Sequence, residues 1–265
     1  MKVYDNKLKY VELLMKYDDL SNYKKYELPE GFHYEFYKPG DEEDWVNIHI
    51  ESGEFTSIEK GLKYFHDFYD SFIDELPRRC VFIVDNETGE KVGTATISLL
   101  EEPEHGYNGA VDWVAIKKKY QGKHLAKPLI TKFMEIADNV GHNKIILHTQ
   151  TNSWLAAKLY LDYGFEILNK EEITGWSILK TLINHEKLTN YNIVSNDEIF
   201  DKRNIEIEKQ LTEMYGTDDF NYSVWYKDGL HNVYTYFNGI PYEYEYFIED
   251  GKVRLEEIEN KSYKK

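Results

Sequence analysis

A short basic segment between an apolar run and a helical pattern has the features of an anion site. The apolar run ends at Ile116, residues 117–123 contain Gly122, and apolar residues then recur at helical spacing from Leu125 to Val140. The first N–H groups of a helix have no intrahelical partner, and the helix dipole adds partial positive charge there. The sequence therefore predicts a site for a phosphate or diphosphate at this turn. The lysines expected to surround it are Lys117, Lys118, Lys119 and Lys123.

A second set of residues recurs every four positions further along the chain. Asn152, Ala156 and Tyr160 lead by the same step to Gly164 and Phe165. On a helix such residues form one row on one face, so an amide, a small residue and a phenol would lie side by side. Residues 144–149, between this row and the basic segment, have the composition of a strand.

The first of these segments resembles the acetyl-CoA pyrophosphate loop of the GCN5-related N-acetyltransferase (GNAT) superfamily. The family pattern is Gln/Arg-x-x-Gly-x-Gly/Ala, and Gln121 and Ala126 match its two ends. Gly122 fills a position that is very often glycine in the family. His124 stands where the family has its central glycine, where a side chain would crowd the diphosphate or donate a hydrogen bond to it.

The second segment resembles the family's helix beside the pantetheine arm of the cofactor. The resemblance implies that Asn152 contacts the arm, that Ala156 lets it pass and that the Tyr160 hydroxyl lies near the thioester sulfur. Tyr160 is thereby predicted as the catalytic acid that protonates the departing thiolate. A backbone N–H at the splayed end of the central strand would stabilise the oxyanion. The residues implied in acetyl-CoA binding are Val114, Ala115, Ile116, Gln121, Gly122, Lys123, His124, Leu125, Ala126, Asn152 and Ala156.

The base that takes the proton of the amine has three candidates. Asp112 lies on the same predicted strand, and alternation would place it on one face with Val114 and Ile116. Burial in an apolar run could raise the pKa of this carboxyl, as a base requires, although a structural ion pair is an equal alternative. His148 on the neighbouring strand is a rival, but a lone histidine there is more often a core residue. A water relay is the third possibility.

The acceptor pocket of this family is built at the break between the first two helices. Glu51, Glu54 and Phe55 occupy that break, so they are the predicted substrate-binding residues. Their acidity would suit a cationic amine, whereas the alternative is that they form a solvated loop.

Composition narrows the classes of partner. The 265 residues carry a net charge of −16, which disfavours nonspecific binding to nucleic acid or to an anionic membrane. The single cysteine, Cys80, lies in an apolar run and is expected to be a buried thiol rather than a nucleophile. No disulfide framework, signal peptide or spanning segment is predicted, so we expect a cytoplasmic location. No metal site is predicted.

The predicted element order is strand, two helices, three strands, helix, strand, helix and two strands. This α/β (α+β) order is that of the GNAT acyl-CoA N-acyltransferase fold, a mixed central sheet flanked by helices. Its last two strands are expected at 165–173 and 176–183. The predicted divisions are an N-terminal extension at 1–30, the acetyltransferase domain at 31–185, a linker at 186–196 and a small α+β domain at 197–265.

The small C-terminal domain is predicted as one helix packed on a four-stranded antiparallel meander. Its runs alternate, with Tyr242, Tyr244 and Tyr246 on one face and Glu243 and Glu245 on the other. The predicted hairpin turns are Asp228-Gly229, Asn238-Gly239 and Asp250-Gly251, because both residues of each pair accept a positive φ. This domain resembles no family that we recognise.

The leading functional hypothesis is an acetyl-CoA-dependent N-acetyltransferase for a primary amine of a small molecule or a peptide. The alternative is a non-catalytic CoA-binding module whose C-terminal domain mediates a protein interaction. A third hypothesis makes residues 190–265 a homodimerisation element or a lid over the acceptor site.

Overall fold

A computed structural model describes residues 5–55, 57–99, 106–227, 230–249 and 252–258. The strands are β1 Glu12–Tyr17, β2 Phe32–Phe36, β3 Cys80–Asp85, β4 Lys91–Leu99, β5 Gly109–Ile116, β6 Ile145–Gln150, β7 Glu166–Ile167, β8 Asn221–Lys227, β9 Leu230–Phe237, β10 Ile240–Glu249 and β11 Lys252–Glu257. The helices are α1 Glu42–Ser52, α2 Ile58–Tyr69, α3 Leu76–Arg79, α4 Ala126–Asn139, α5 Trp154–Tyr163, α6 Ile173–Leu182, α7 Asn196–Ile199 and α8 Lys202–Tyr215.

Two sheets organise these elements, as the sequence predicted. The larger sheet has the strand order β2-β3-β4-β5-β6-β1-β7, and the smaller one the order β11-β10-β9-β8. In the larger sheet β5 and β6 are parallel, whereas the other neighbours are antiparallel. Helices cover the larger sheet on both sides, so the predicted α/β class with a mixed central sheet is confirmed.

The N-terminal extension supplies a strand to the larger sheet, between β6 and the edge strand β7. β1 pairs with β6 over its whole length and with β7 on its other side. Leu13 and Met15 are fully buried there, which fixes the register because a shift by one residue would expose both. Residues Glu12–Tyr17 are therefore part of the sheet that carries the predicted site.

The two strands predicted at 165–173 and 176–183 are wrong. The structure has only the two-residue β7 and then helix α6, because β1 already occupies the position beside β6. Gly175, between the two predicted strands, lies in α6 against β1. A Cβ at Gly175 would approach Leu13 Cδ2 to 2.7 Å, so the missing side chain allows the helix to pack closely.

Two apolar cores lie on opposite sides of the larger sheet. One side packs α4 and α5 onto the sheet through residues such as Phe133, Leu129 and Leu161. The other side packs α1 and α2 through Trp45, Phe65 and Tyr69. The thiol of Cys80 is fully buried in this second core, as predicted, and burial raises its pKa to about 11.

The C-terminal part forms the predicted helix and meander. Helix α8 packs on the sheet face that carries Tyr242, Tyr244 and Tyr246. Asn238 and Gly239 adopt positive φ angles of 51° and 79°, which confirms the predicted hairpin turn between β9 and β10. The other two predicted turns, Asp228-Gly229 and Asp250-Gly251, lie outside the described residues.

Polar contacts join the C-terminal part to the rest of the chain. Asn6 donates from its side chain to the Tyr222 carbonyl, and its own carbonyl accepts from Asn204 Nδ2 at 2.7 Å. The Lys60 ammonium on α2 pairs with the Glu243 carboxylate on β10. None of the helices in the described ranges is long and apolar enough to cross a membrane.

Candidate acyl-transfer site

The central strands β5 and β6 separate after a short parallel contact. They pair only at Ala110 with Ile146 and at Val111 with Leu147. Beyond Val111, β5 stays paired with β4 while β6 stays paired with β1 on its far side. A gap therefore opens in the sheet beside the second half of β5.

A β-bulge in β5 lies at this opening. Thr96 pairs with Asp112 and Thr94 pairs with Ala115, so Trp113 and Val114 together oppose one residue of β4. The backbone of Trp113 has a φ of 53°, a conformation that is rare outside glycine.

The bulge corrects the predicted alternation of side chains along β5. Asp112 and Trp113 both lie on the side of α1 and α2, because Asp112 accepts a hydrogen bond from Ser98 and the Trp113 ring contacts Trp45 at 5.3 Å. Val114 and Ile116 pack into the opposite core. Asp112 therefore does not share a face with Val114 and Ile116.

Burial shapes the chemistry of the Asp112 carboxyl. It raises the pKa of Asp112 above its ordinary value, although the hydrogen bond from Ser98 acts in the opposite direction. A carboxylate base requires a raised pKa, so Asp112 remains a candidate base. It lies on the side of the sheet that faces α1 and α2.

The backbone of Val114 is turned towards the gap. Lys117 N–H donates to the Val92 carbonyl on β4. The backbone groups of successive strand residues point to opposite sides, so those of Lys117 face β4, whereas those of Ile116 and Val114 face away from it. Consistent with this, Gln121 Nε2 donates to the Ile116 carbonyl at 3.0 Å. The first residue of the predicted loop thus fastens the end of β5.

The predicted phosphate loop has a left-handed backbone at two positions. Gly122 has a φ of 79° and His124 a φ of 62°. Glycine adopts such angles without cost, so the central glycine of the family motif suits this backbone. In this chain His124 has the left-handed backbone although it carries a side chain. The imidazole of His124 is exposed.

Helix α4 begins directly after the predicted phosphate loop. Its first residue is Ala126, and the first intrahelical bond runs from Leu129 N–H to the Leu125 carbonyl at 3.0 Å. Pro128 thus occupies the first turn, where an N–H would have no intrahelical partner.

The lysines around the loop are less available than predicted. Three of them bind carboxylates: Lys117 contacts Glu90 at 2.7 Å, Lys119 contacts Glu90 at 2.8 Å, and Lys118 contacts Asp219 at 2.8 Å. Lys123 lies over the Tyr120 ring, with its ammonium 4.3 Å from the ring centroid. Three of the four lysines predicted around an anion are therefore already paired, which leaves Lys123 and the backbone N–H groups as its expected donors.

The row Asn152, Ala156 and Tyr160 begins before the helix. Asn152 lies in the 3-10 turn Thr151–Ser153 that precedes α5, and Asn152 Nδ2 donates to Asn6 Oδ1 at 3.2 Å. Its Oδ1 is buried and has no hydrogen-bond partner among the described residues. An unpaired buried acceptor carries a cost that an amide donor would relieve.

Tyr160 lies inside the fold at the predicted position on α5. Its side chain is 7% exposed and packs on Phe165 with the ring centroids 5.6 Å apart. Burial raises the pKa of the Tyr160 phenol, and the negative charge of Glu54 raises it further. The hydroxyl is therefore held in its protonated form and lies within electrostatic reach of Glu54.

The residues of the helix break are ordered by specific contacts rather than forming a solvated loop. Glu51 pairs with the buried Lys117 at 3.2 Å, at the end of β5. Glu54 Oε2 accepts from His49 Nδ1 at 2.7 Å, and the Phe55 ring stacks on Trp113 at 5.6 Å. The three residues predicted to bind the substrate thus contact defined elements: Glu51 the end of β5, Phe55 the bulge of β5, and Glu54 helix α1.

His148 is not the core residue that the sequence suggested. Its side chain is 47% exposed, and Nδ1 lies 2.9 Å from Glu12 Oε1. His49 was missed altogether, although its place five residues before Glu54 and before the helix-ending Gly53 was a usable signal. The pattern of the apolar run predicts Trp113 as an ordinary strand residue and gives no sign of the bulge.

A mixed α/β sheet with a splayed, bulged central strand next to a helix-starting phosphate loop defines the class of an acyl-CoA transferase fold. Residues 43–165 match the model of the acetyltransferase (GNAT) family. The matched residues include both motifs, so the resemblance to this family is confirmed.

Three proteins that this chain resembles are named as acetyltransferases, and the chain spans only part of the length of each. GCN5-related N-acetyltransferase 4, chloroplastic, from Arabidopsis thaliana is 38% identical over 68 residues, which cover 26% of this chain and 23% of that protein. A GCN5-related N-acetyltransferase from Sphaerobacter thermophilus aligns with a TM-score of 0.49 at 18% identity, over 61% of this chain and 49% of that one. A GNAT-family acetyltransferase from Colwellia psychrerythraea gives 0.46 at 16%, over 62% and 55%.

Proposed function

We propose that the chain is an N-acetyltransferase that uses acetyl-CoA to acetylate a primary amine of a small molecule or a peptide. The observation that carries the proposal is the opening between β5 and β6, bordered by the left-handed loop at one end and by the buried hydroxyl of Tyr160. The cytoplasm remains the predicted location.

Three features of the chain fit acetyl-CoA. The backbone of Val114 faces the opening, and space is free beside Gly122, where a Cβ would meet no heavy atom of the described residues within 4 Å. The buried Oδ1 of Asn152 has no partner within the described part of the chain. The backbone of Gln121 to Ala126 would hold the diphosphate, and Asn152 and Ala156 would border the pantetheine.

The residues of the chain then have distinct tasks. Acetyl-CoA, when bound, supplies an acetyl thioester, whose carbon gains a bond to the amine nitrogen as its bond to sulfur breaks. The N–H of Val114 would donate to the developing oxyanion. The Tyr160 hydroxyl would give a proton to the sulfur, and Asp112 is one of the candidate carboxylates for accepting the proton of the amine.

The acceptor side is acidic and aromatic. The Glu54 carboxylate is bound to His49, the Phe55 ring stacks on Trp113, and the exposed Tyr64 ring lies 5.0 Å from that of Trp113. Carboxylates beside aromatic faces favour a cation, so we infer that the acceptor is an amine that is protonated before it reacts. Glu51 would border the same side.

The C-terminal sheet adds a wall to this side. Its outer face meets α2 through the ion pair of Lys60 and Glu243. Burial raises the pKa of Tyr236 on the same sheet, and the negative charge of Glu51 raises it further. These contacts support the hypothesis that residues 190–265 limit access to the acceptor site. A homodimer through this region remains a prediction.

Thiol release from acetyl-CoA with a panel of amines tests the proposed activity. We expect turnover by the wild type, and we expect Tyr160→Phe to lower kcat by roughly a hundredfold with little change in KM, because the acid acts in the transition state. Tyr163→Phe is the matched control, since it changes a buried tyrosine of the same helix whose hydroxyl bonds to Thr131 and Lys24 instead.

The result also separates the proposed enzyme from a CoA-binding module. Equal kcat in wild type and Tyr160→Phe would remove Tyr160 from the mechanism. Calorimetry with CoA on the same sample addresses the alternative. Tight binding of CoA without product from any amine would favour the non-catalytic module. His124 gives a reason to consider it, because the chain has a side chain where the family motif has glycine.

A further inference from the structure

A histidine that the proposed mechanism does not use lies at the end of helix α1. The side chain of His49 is fully buried, and its Nδ1 lies 2.7 Å from Glu54 Oε2. The backbone ties the same two residues together, because Glu54 N–H donates to the His49 carbonyl at 2.8 Å. Gly53 between them has a φ of 95°, which turns the chain so that Glu54 returns over the helix end.

The ring of His49 is fixed on both sides by tryptophans. Its centroid lies 4.2 Å from that of Trp45 and 5.2 Å from that of Trp113. Trp113 belongs to the bulge of β5, so the position of His49 depends on the strand that opens the sheet. The imidazole cannot rotate without displacing these rings.

The hydrogen bonds of His49 favour one tautomer. Nδ1 faces a carboxylate oxygen, which can only accept, so the proton belongs on Nδ1. Nε2 is buried with no partner among the described residues, and an unpaired acceptor there costs less than an unpaired N–H donor would. His49 is therefore a fixed donor to Glu54.

Glu54 is linked to the strand that opens the sheet, because the ring of its partner His49 packs on Trp113 of the β5 bulge. The Glu54 side chain is 20% exposed, so its carboxylate borders the solvent. Burial raises the pKa of Tyr160 on α5, and the charge of Glu54 raises that pKa further. Asp112 is held differently, because its carboxylate accepts a hydrogen bond from Ser98. Of these two carboxylates, Glu54 is the one whose charge acts on Tyr160.

We propose that Glu54 is the base that accepts the proton of the acceptor amine, and that His49 is a positioning residue that holds its carboxylate. The inference rests on the proposed acetyltransferase function and deepens it. The protonated amine first gives one proton to Glu54, which releases it to the solvent. As the new bond to nitrogen forms, a second N–H proton passes to Glu54. As the bond to sulfur breaks, the sulfur takes one proton from Tyr160, and the second proton passes on from Glu54 to restore the Tyr160 hydroxyl, so the protons balance.

Kinetics of four variants test this assignment. We expect Glu54→Gln to lower kcat by about a hundredfold or more. His49→Gln should lower kcat by roughly tenfold to a hundredfold, as losses of such orienting partners do. The double variant should be no slower than Glu54→Gln alone, because His49 acts only through Glu54. His66→Gln is the matched control, since it removes an exposed histidine paired with Asp70 at 2.8 Å on the neighbouring helix, and it should keep the wild-type kcat.

Two readouts do not depend on turnover. Nitrogen NMR of the imidazoles should show His49 with its proton on Nδ1 in the wild type and a shifted Nδ1 signal in Glu54→Gln. Calorimetry should give the same CoA affinity for wild type and Glu54→Gln. A wild-type kcat in Glu54→Gln, or a loss confined to Asp112→Asn, overturns the inference while leaving the enzyme intact. Absence of turnover in the wild type overturns the proposed function and this inference together.

Discussion

The backbone of His124 keeps the shape of the family loop at a position where the family has glycine. A left-handed φ of 62° costs a residue with a side chain about 1 kcal/mol, and a β-branched residue more. The loop therefore carries local strain at His124. The exposed imidazole borders the place where the diphosphate would lie.

Substitution of His124 measures how far the loop depends on this conformation. We expect His124→Val to lower the free energy of unfolding by about 1 kcal/mol and to weaken CoA binding, because a β-branched side chain disfavours a positive φ. His124→Gly should change stability little, since relief of strain is offset by about 0.5–1 kcal/mol of added chain entropy. Urea denaturation and CoA calorimetry provide the values. Equal CoA affinity in the Val and Gly variants would contradict this role of the backbone.

At the scale of elements, one hairpin holds the start of the phosphate loop. Glu90 at the foot of β4 accepts from Lys117 and Lys119 and also from the Tyr120 hydroxyl at 3.1 Å. Partial burial alone would raise the pKa of Glu90, but the hydrogen bonds from Lys117 and Lys119 outweigh it and lower the pKa to about 2. The β3–β4 hairpin and the loop after β5 are thereby coupled through one carboxylate.

The coupling gives a pH dependence with a definite sign. A carboxyl with a lowered pKa in the folded state stabilises the fold above its ordinary pKa of 4.5, and this contribution is lost as the pH falls towards 2. Because the site is partly exposed, we expect Glu90→Gln to cost about 1 kcal/mol at pH 7. The difference from wild type should shrink below pH 4.5. The exposed Glu87→Gln of the same hairpin is the control, and an equal loss there would contradict the account.

Local patterns predicted the elements that carry the motifs. β5, α4, β6 and α5 were found because alternation, helical spacing and turn residues are encoded within a few positions. The position of β1 between β6 and β7 could not be read from Leu13 and Met15, since pairing across more than a hundred residues leaves no local mark. The bulge at Trp113 could not be predicted for a related reason: an extra residue in one strand is defined only by its pairing with the partner strand.

At the scale of the whole molecule, Asn6 joins three parts of the chain. Its side chain accepts from Asn152 beside the proposed pantetheine path and donates to Tyr222 on β8, while its carbonyl accepts from Asn204 on α8. Leu8, two residues further, forms a bridge with Phe200. The N-terminal segment thus connects the acetyltransferase sheet to the C-terminal helix and meander.

Removal of the Asn6 side chain should weaken this connection. We expect Asn6→Ala to lower the free energy of unfolding by about 2 kcal/mol, because it leaves a buried amide and a buried carbonyl without this partner. Urea denaturation followed by tryptophan fluorescence gives the change. Asn190→Ala, at an exposed position, is the control. A loss below about 0.5 kcal/mol in Asn6→Ala would mean that the two parts are held together by other contacts.

The central claim is that one ligand extends from the loop after β5 to the hydroxyl of Tyr160. A crystal structure of the full chain with CoA tests it most directly. The account predicts the diphosphate on the N–H groups of Gln121 to Ala126 and the sulfur next to Tyr160, in the opening between β5 and β6. CoA bound elsewhere, or a thiol directed away from Tyr160, would contradict it.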